Sequence, residues 1–214
     1  MTRGPSIAVL DYGMGNLRSV ARALEHVGGS PLVTEDVAPA LESDALVVPG
    51  VGHFGACMRN LRERGLDAVV KEFAASGRPM FGVCVGMQVL FEGSEEAPGE
   101  PGLGLFEGVS KRLGAGGVKV PHMGWNKVVW NRHREHPYVM DIPFTWFYFV
   151  HSYAPWVRDA VGITTYGERM ISAVVAKDNV FATQFHPEKS GSWGLRLYEG
   201  FVRDVEARAD RSGS

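Results

Sequence analysis

The sequence predicts an α/β fold, a mainly parallel sheet flanked by helices, with additional antiparallel strands in the second half. In the first half, short apolar runs alternate with segments whose apolar residues recur at helical spacing, which is typical of parallel sheets. The second half, residues 109–185, is instead rich in β-branched and aromatic residues separated by turns. With 214 residues, 45% of them hydrophobic, we expect a single domain over residues 1–214 with an ordered core from about 6 to 207.

The first half is predicted to begin with a strand at Ser6–Leu10 and a helix whose apolar residues are Leu17, Val20, Leu24 and Val27. Further strands are predicted at 31–34, 45–48 and 79–83, with one helix over 56–75 before the last of them. Another helix is predicted to start at Val85 and to include residues 85–91.

In the second half, antiparallel strands are predicted at 127–130, 144–153 and 171–177, with turns at 114–117 and 178–179. The polar stretch 131–136, which contains His133 and His136, is predicted to be a solvated loop. A last helix is predicted from about Trp193, followed by a frayed polar tail over 209–214.

Cys84 is the candidate nucleophile. It has glycine two residues away on either side, at Gly82 and Gly86, and lies between an apolar run and a helical pattern. This is typical of a nucleophile elbow, a strained strand-to-helix turn in which small neighbours give the nucleophile room. We expect the thiol to face solvent at a helix N-terminus, which favours the thiolate. The alternative is a small buried cysteine without a chemical role.

His186 is the candidate base. It follows the strand-like run 180–185, and Glu188 comes two residues later. On an extended chain, which Pro187 helps to hold, these two side chains share a face, so the carboxylate can orient the imidazole. Cys84, His186 and Glu188 then form a thiol version of a catalytic triad. The alternative is a histidine at the surface end of a strand.

Two backbone amides are candidates for an oxyanion hole. Val85 directly follows the nucleophile, as in other elbows. Val51 lies between Gly50 and Gly52 just after the predicted strand 45–48, and glycine on both sides leaves its peptide free to rotate. The Val51 amide can therefore point into the site in one state and away in another. The alternative is a plain tight turn.

Several longer motifs accompany these residues. They are Asp-Tyr-Gly-Met-Gly-Asn at 11–16, Pro-Gly-Val-Gly at 49–52, Gly-Val-Cys-Val-Gly-Met-Gln at 82–88, Pro-His-Met-Gly-Trp-Asn at 121–126 and Gln-Phe-His-Pro-Glu-Lys-Ser at 184–190. With them, the sequence resembles the class I (triad) glutamine amidotransferases, which have a flavodoxin-like fold. Within that family it resembles the glutaminase subunits of imidazole glycerol phosphate synthase, which the motifs at 11–16, 49–52 and 121–126 single out.

The resemblance implies hydrolysis of L-glutamine through a thioester on Cys84, with His186 as base and then acid, and Glu188 orienting it. It implies no metal or other cofactor. The ammonia would pass to a separate cyclase subunit, a (β/α)₈ barrel that makes imidazole glycerol phosphate and an aminoimidazole-carboxamide ribotide in histidine biosynthesis. Because hydrolysis without an acceptor wastes glutamine, we predict a resting state in which the Val51 amide is turned away.

The resemblance also implies binding and docking residues. The implied glutamine pocket comprises Gly52, Gln88, Glu96 and the backbone around His151, Ser152 and Tyr153. For Glu96 the alternative is one more solvated charge in an acidic loop. Met123, Trp125 and Lys189 are implied to face the cyclase, and the alternative for Met123 and Trp125 is the core of an antiparallel strand.

Three other functions stay open. An amidotransferase for anthranilate, guanylate or cytidylate synthesis shares the elbow and the triad but lacks the motif at 121–126. A free-standing cysteine hydrolase, for example of γ-glutamyl peptides, would use the same triad. A non-catalytic binding module of the same fold would not need the complete triad that this sequence contains.

Composition excludes several partners. The net charge of −2 and the pI near 6.4 give no electrostatic case for nucleic acid, and no basic helix suggests a membrane surface. The two cysteines, Cys57 and Cys84, are not spaced as a zinc or disulfide motif, which suits a reducing cytosol. No apolar stretch reaches membrane length and no signal peptide is visible, so we expect a cytoplasmic protein.

Overall fold

The first half of the chain alternates strands and helices, as predicted. The computed structural model describes residues 4–114, 117–131 and 135–212. The elements of this half are β1 (Ser6–Leu10), α1 (Leu17–His26), β2 (Ser30–Thr34), α2 (Val37–Glu42), β3 (Ala45–Gly50), α3 (Phe54–Glu63), α4 (Leu66–Ser76) and β4 (Met80–Cys84). The short helix α2 was not predicted.

The second half consists mostly of strands. Its elements are α5 (Val85–Gln88), β5 (Phe91–Ser94), β6 (Phe106–Arg112), β7 (His122–Trp130), β8 (Thr145–His151), β9 (Tyr153–Ala154), β10 (Gly162–Tyr166), β11 (Arg169–Lys177), β12 (Val180–Thr183) and α6 (Gly191–Ser212). The predicted strands correspond to β7, β8 and β11, whereas β5, β6 and β10 were missed.

One large mixed sheet organises the molecule. In the described part of the chain its nine strands follow the order β2-β1-β3-β4-β12-β11-β10-β7-β8. The first five are parallel to one another, and the other four continue the sheet in antiparallel fashion. The prediction of a mainly parallel core extended by antiparallel strands is thus confirmed. Among the second-half strands of this sheet, β12 runs parallel to its neighbour β4, and β5 pairs in parallel with β6 in a separate three-stranded sheet.

The parallel strands form the core. Every residue of β3, β4 and β12 is buried, because helices cover both faces of a parallel sheet. The edge strand β2 is more exposed, and β7 alternates between exposed residues and residues that are buried or half-buried. The loops after β3, β4 and β12 leave the same edge of the sheet, since these three strands are parallel neighbours.

Two predicted helices have different bounds. The helix predicted over 56–75 is two helices, because Gly65 adopts a left-handed φ of 68° between α3 and α4. The helix predicted to include 85–91 ends after one turn at Gln88, and Phe91 begins β5. Leu90 and Phe91 are fully buried, so tertiary packing rather than helical periodicity sets this boundary.

Two predicted polar regions also differ. The helix α6 extends to Ser212 through most of the tail predicted to fray, of which residues 213–214 lie outside the described residues. In the predicted solvated loop, His136 instead packs its ring against Tyr138 and Phe181, and burial lowers its pKa to about 4. His133 and residues 115–116 of the predicted turn lie outside the described residues.

Candidate active site

Cys84 lies at the end of β4 in a strained conformation, with φ of 55° and ψ of −112°. Only close packing of small neighbours permits this turn. A Cβ atom on Gly86 would lie 1.8 Å from the carbonyl oxygen of Val48, and one on Gly82 would lie 3.1 Å from the Cβ of Ala182. The strand-turn-helix geometry of the elbow is present, but the expectation that the thiol faces solvent is wrong, since Cys84 is 2% exposed.

The thiol borders a cavity of about 140 Å³. The candidate residues that line it are Val51, Gly52, Cys84, Val85, Gln88, Glu96, Ser152, Tyr153 and His186. They come from the loops after β3, β4, β5, β8 and β12, and their meeting point is the carboxyl edge of the parallel strands. Val150 and His151, at the end of β8, complete the lining, and of these two only Val150 was not among the candidates.

His186 and Glu188 form a buried pair behind this cavity. The Nδ1 atom of His186 lies 2.8 Å from Oε1 of Glu188, and their side chains are 2% and 1% exposed. The predicted reason for the pairing is wrong, because residues Pro187–Lys189 form a 3₁₀ turn rather than an extended segment. The His186 amide donates to the carbonyl oxygen of Tyr148, which fixes this turn against β8.

The charge state of His186 depends on both neighbours. Burial lowers the pKa of the imidazole, but the Cys84 thiolate and the hydrogen-bonded Glu188 carboxylate raise it to about 10. The Glu188 carboxylate and a Cys84 thiolate thus both stabilise the positively charged form of the imidazole. Its Nε2 atom is buried and has no hydrogen-bond partner among the described residues.

Two pocket residues are held by long-range hydrogen bonds. The Nε2 atom of Gln88 donates to the carbonyl oxygen of Tyr153 at 2.8 Å. The Oε2 atom of Glu96 accepts from the amide of Phe54 at 2.7 Å, at the first residue of α3. This bond holds the Glu96 carboxylate at the cavity wall rather than in free solvent. It also connects the loop after β5 to the start of α3.

The Val51 amide does not point into the cavity. It donates to the carbonyl oxygen of Met14 at 3.4 Å, which is the orientation predicted for the resting state. Two further hydrogen bonds hold the same segment: the Tyr12 hydroxyl donates to the carbonyl of Pro49, and the Cys57 thiol donates to the carbonyl of Val51 at 3.6 Å. Residues 49–51 are thus anchored on both sides of the peptide bond between Gly50 and Val51, which is the one that would rotate.

A family model matches this arrangement. The model of "Glutamine amidotransferase class-I" matches residues 8–204. This chain belongs to the class I glutamine amidotransferases. The match includes the parallel strands, apart from the first two residues of β1, and every residue that lines the cavity.

Relatives within this family are similar along almost their whole length. The chain is 43% identical to "Imidazole glycerol phosphate synthase subunit HisH" of Gloeothece citriformis over 210 residues, 95% of this chain and 98% of the relative. It is 49% identical to the subunit of the same name from Acinetobacter baylyi over 207 residues, 94% and 98% of the two chains. These relatives place it in the HisH branch of the class I glutamine amidotransferases.

Solved structures show the same fold. A crystal structure of a glutamine amidotransferase has a TM-score of 0.71 at 22% identity, covering 94% of this chain and 98% of the other. The glutaminase domain of CTPS from Trypanosoma brucei has a TM-score of 0.65 at 18% identity, covering 95% and 94%.

The three residues predicted to meet a partner lie on the surface of this glutamine amidotransferase. Met123 and Trp125 are 64% and 54% exposed on β7, so the alternative that they are core residues is wrong. Lys189 is also exposed, and its Nζ lies 6.0 Å from the ring centroid of Tyr148. Trp146 on β8, which is 54% exposed, was not singled out, although the aromatic strand pattern predicted its element. We call Met123, Trp125, Trp146 and Lys189 the β7–β8 face.

One buried residue of the amidotransferase site was not among the candidates predicted from the sequence. Gln184 was noted only as part of a motif, yet its side chain contacts both Cys84 and Gln88. The available signal was a polar residue at the end of an otherwise apolar run that leads to His186.

No helix in the described part of the chain is long and apolar enough to cross a membrane. Likewise, no three His, Cys, Asp or Glu side chains of residues 4–114, 117–131 and 135–212 are grouped as they would be around a metal ion.

Proposed function

We propose that this chain is the glutaminase subunit of imidazole glycerol phosphate synthase. It hydrolyses L-glutamine and supplies ammonia to a cyclase subunit, a (β/α)₈ barrel on a separate chain, and it does so in the cytoplasm. The observation that carries the chemistry is the buried His186–Glu188 pair beside the strained Cys84. The HisH relatives support the choice of pathway.

The first half-reaction forms a thioester. The Cys84 thiolate attacks the side-chain amide carbon of glutamine, and the carbonyl oxygen becomes an oxyanion. The intermediate then collapses, the carbon–nitrogen bond breaks, and His186 gives the Nε2 proton to the departing ammonia. Glu188 keeps the imidazole in place through Nδ1 and stabilises its charge.

The second half-reaction releases glutamate. Neutral His186 accepts a proton from a water molecule, which attacks the thioester carbon. The carbon–sulfur bond breaks, glutamate leaves, and Cys84 and the imidazolium return to their initial state. Glu96 lies at the cavity wall, and its carboxylate is suited to the α-ammonium group of the substrate.

Control of this reaction lies in the oxyanion hole. The Val85 amide follows the nucleophile directly, whereas the Val51 amide is engaged by Met14. One oxyanion donor contributes about 10²–10³ in rate, so rotation of a single peptide can account for a large activation. The partner and its nucleotide would favour the inward orientation of this peptide by a shift in population.

The β7–β8 face is the surface that we assign to the cyclase. It is aromatic and exposed, and aromatic residues and Met are enriched in interface cores. It also adjoins the site, since β8 ends at Val150 and His151 in the cavity wall and Tyr148 contacts the His186 turn. Docking there can therefore act on the pocket through β8.

The test is a paired assay with a cyclase chain. Glutamate formation by this chain should be low alone and should rise when the cyclase and its nucleotide substrate are both present. The control is Cys84→Ala, which should abolish the use of glutamine while the complex still makes product from ammonium salts. Strong glutaminase activity without any partner, or a Cys84→Ala chain that still uses glutamine, would contradict the proposal.

A further inference from the structure

The missed residue Gln184 lies between the catalytic elements. It follows β12 directly, its side chain is fully buried, and its own amide donates to the carbonyl of Ala173 at 2.9 Å. Its Nε2 atom lies 3.8 Å from Sγ of Cys84, and its Oε1 atom lies 3.1 Å from Nε2 of Gln88. The side chain therefore joins the nucleophile to a residue of the glutamine pocket.

The orientation of this amide follows from its partners. Nε2 of Gln88 lies 2.8 Å from the carbonyl oxygen of Tyr153, which can only accept a hydrogen bond. The Gln88 atom at that position must be the NH₂ group, and the Gln184 atom that faces it must be the oxygen. The atom of Gln184 that faces Cys84 is consequently its NH₂ group, which is a donor.

The sulfur has a different partner in each protonation state. The thiol donates to the carbonyl of Val150 at 3.8 Å, but this oxygen cannot stabilise a thiolate, since it offers no proton. A buried anion needs donors. The Gln184 amide supplies a neutral one in addition to the charge of the His186 imidazolium.

We propose that Gln184 is a catalytic residue that donates a hydrogen bond to the Cys84 thiolate and, through Gln88, ties the nucleophile to the wall of the glutamine pocket. This rests on the proposed function, because it assumes that the thiolate attacks glutamine. The donor lowers the pH at which Cys84 becomes reactive and fixes the direction from which the sulfur attacks.

The experiment measures alkylation of Cys84 by iodoacetamide against pH in the full chain, with the modified peptide quantified by mass spectrometry. The variant Gln184→Met removes the donor and has a similar size. Thr183→Val is the matched control, since Thr183 is equally buried and its hydroxyl donates to the carbonyl of Phe185 rather than to the sulfur. Every chain retains the titratable groups around the sulfur, which are His186, Glu188, Glu96, His151, Tyr153, Tyr12 and Cys57.

We expect the alkylation midpoint to move up by about one pH unit in Gln184→Met, as for the loss of a hydrogen bond to a charged group. Below both midpoints this corresponds to about tenfold slower alkylation, whereas Thr183→Val should keep the original midpoint. If the midpoint stays unchanged in Gln184→Met, Gln184 has only a structural role and the proposal is overturned.

A variant-free measurement covers the case in which the substitutions disturb folding. In the unmodified chain, the side-chain NH₂ resonances of Gln184 should shift with the same pH midpoint as Cys84 alkylation. Resonances that do not follow this midpoint would overturn the proposal. Neither measurement requires glutamine turnover, so a chain that fails as a glutaminase would refute the proposed function and leave this test intact.

Discussion

Replacing Val51 by glycine tests the peptide gate at the oxyanion hole. Reversal of the peptide between Gly50 and Val51 rotates ψ of Gly50 and φ of Val51 together. Among the described non-glycine residues only Cys84 and Asp178 have a positive φ, so the φ angle of Val51 in this structure is negative. The inward state carries this angle toward the left-handed region, where a β-branched residue is an outlier.

The magnitude follows from two terms that oppose the rotation. The hydrogen bond from Val51 to Met14 is long at 3.4 Å, which puts it near the low end of the range of about 0.5–1.5 kcal/mol. The left-handed conformation costs an L-residue about 1–2 kcal/mol. Glycine removes the second term, so Val51→Gly should raise the inward population, and with it the basal rate, about 5- to 30-fold.

The assay is steady-state glutamate formation by the isolated chain and by the activated complex. The matched control is Val51→Ala, which shortens the side chain but keeps the Cβ atom, and should therefore stay close to the original basal rate. Gly50 is not a suitable position, since a Cβ atom there would lie 2.4 Å from the amide of Gly86 and disturb the elbow in either state. A basal rate of Val51→Gly no higher than that of Val51→Ala, with both chains folded, would refute the reasoning.

Three further predictions concern the site and its support. His186→Ala should lower stimulated glutamate formation about 10²–10⁴-fold. Glu188→Gln should lower it less, because the carboxylate orients the base without touching substrate. Near-normal turnover of His186→Ala would mean that another group is the base. A glutamine-analogue electrophile should label Cys84 and spare Cys57, since burial raises the pKa of the Cys57 thiol to about 12. Peptide mass spectrometry identifies the labelled residue, and labelling of Cys57 instead would refute the assignment of Cys84 as the nucleophile. Tyr12→Phe should lower the free energy of unfolding by about 1–3 kcal/mol in denaturant titrations, because a buried carbonyl loses its donor; an unchanged midpoint would show that this hydrogen bond contributes nothing.

The elements that carry the site could be predicted because their signals are local. An apolar run followed by Gly82, Cys84 and Gly86 predicts a strand and an elbow, and the structure has that turn. The ends of α3 and α5 could not be predicted from periodicity, since the left-handed Gly65 separates α3 from α4 and the burial of Phe91 ends α5. The pairing of His186 with Glu188 was predicted from extended geometry, yet it is made by a 3₁₀ turn.

By itself, the sequence determined the α/β fold class, the family and the positions of the candidate nucleophile and base, because these depend on short patterns along the chain. Only the tertiary structure decided which groups surround the sulfur. The strand β12 pairs with β4 from 100 residues further along the chain, and this brings Gln184 to Cys84 and fixes which end of its amide donates. The Val51 amide is likewise turned away by the carbonyl of Met14. Hydrogen bonds between such distant segments leave no periodicity in the sequence, because their geometry exists only once the sheet has assembled.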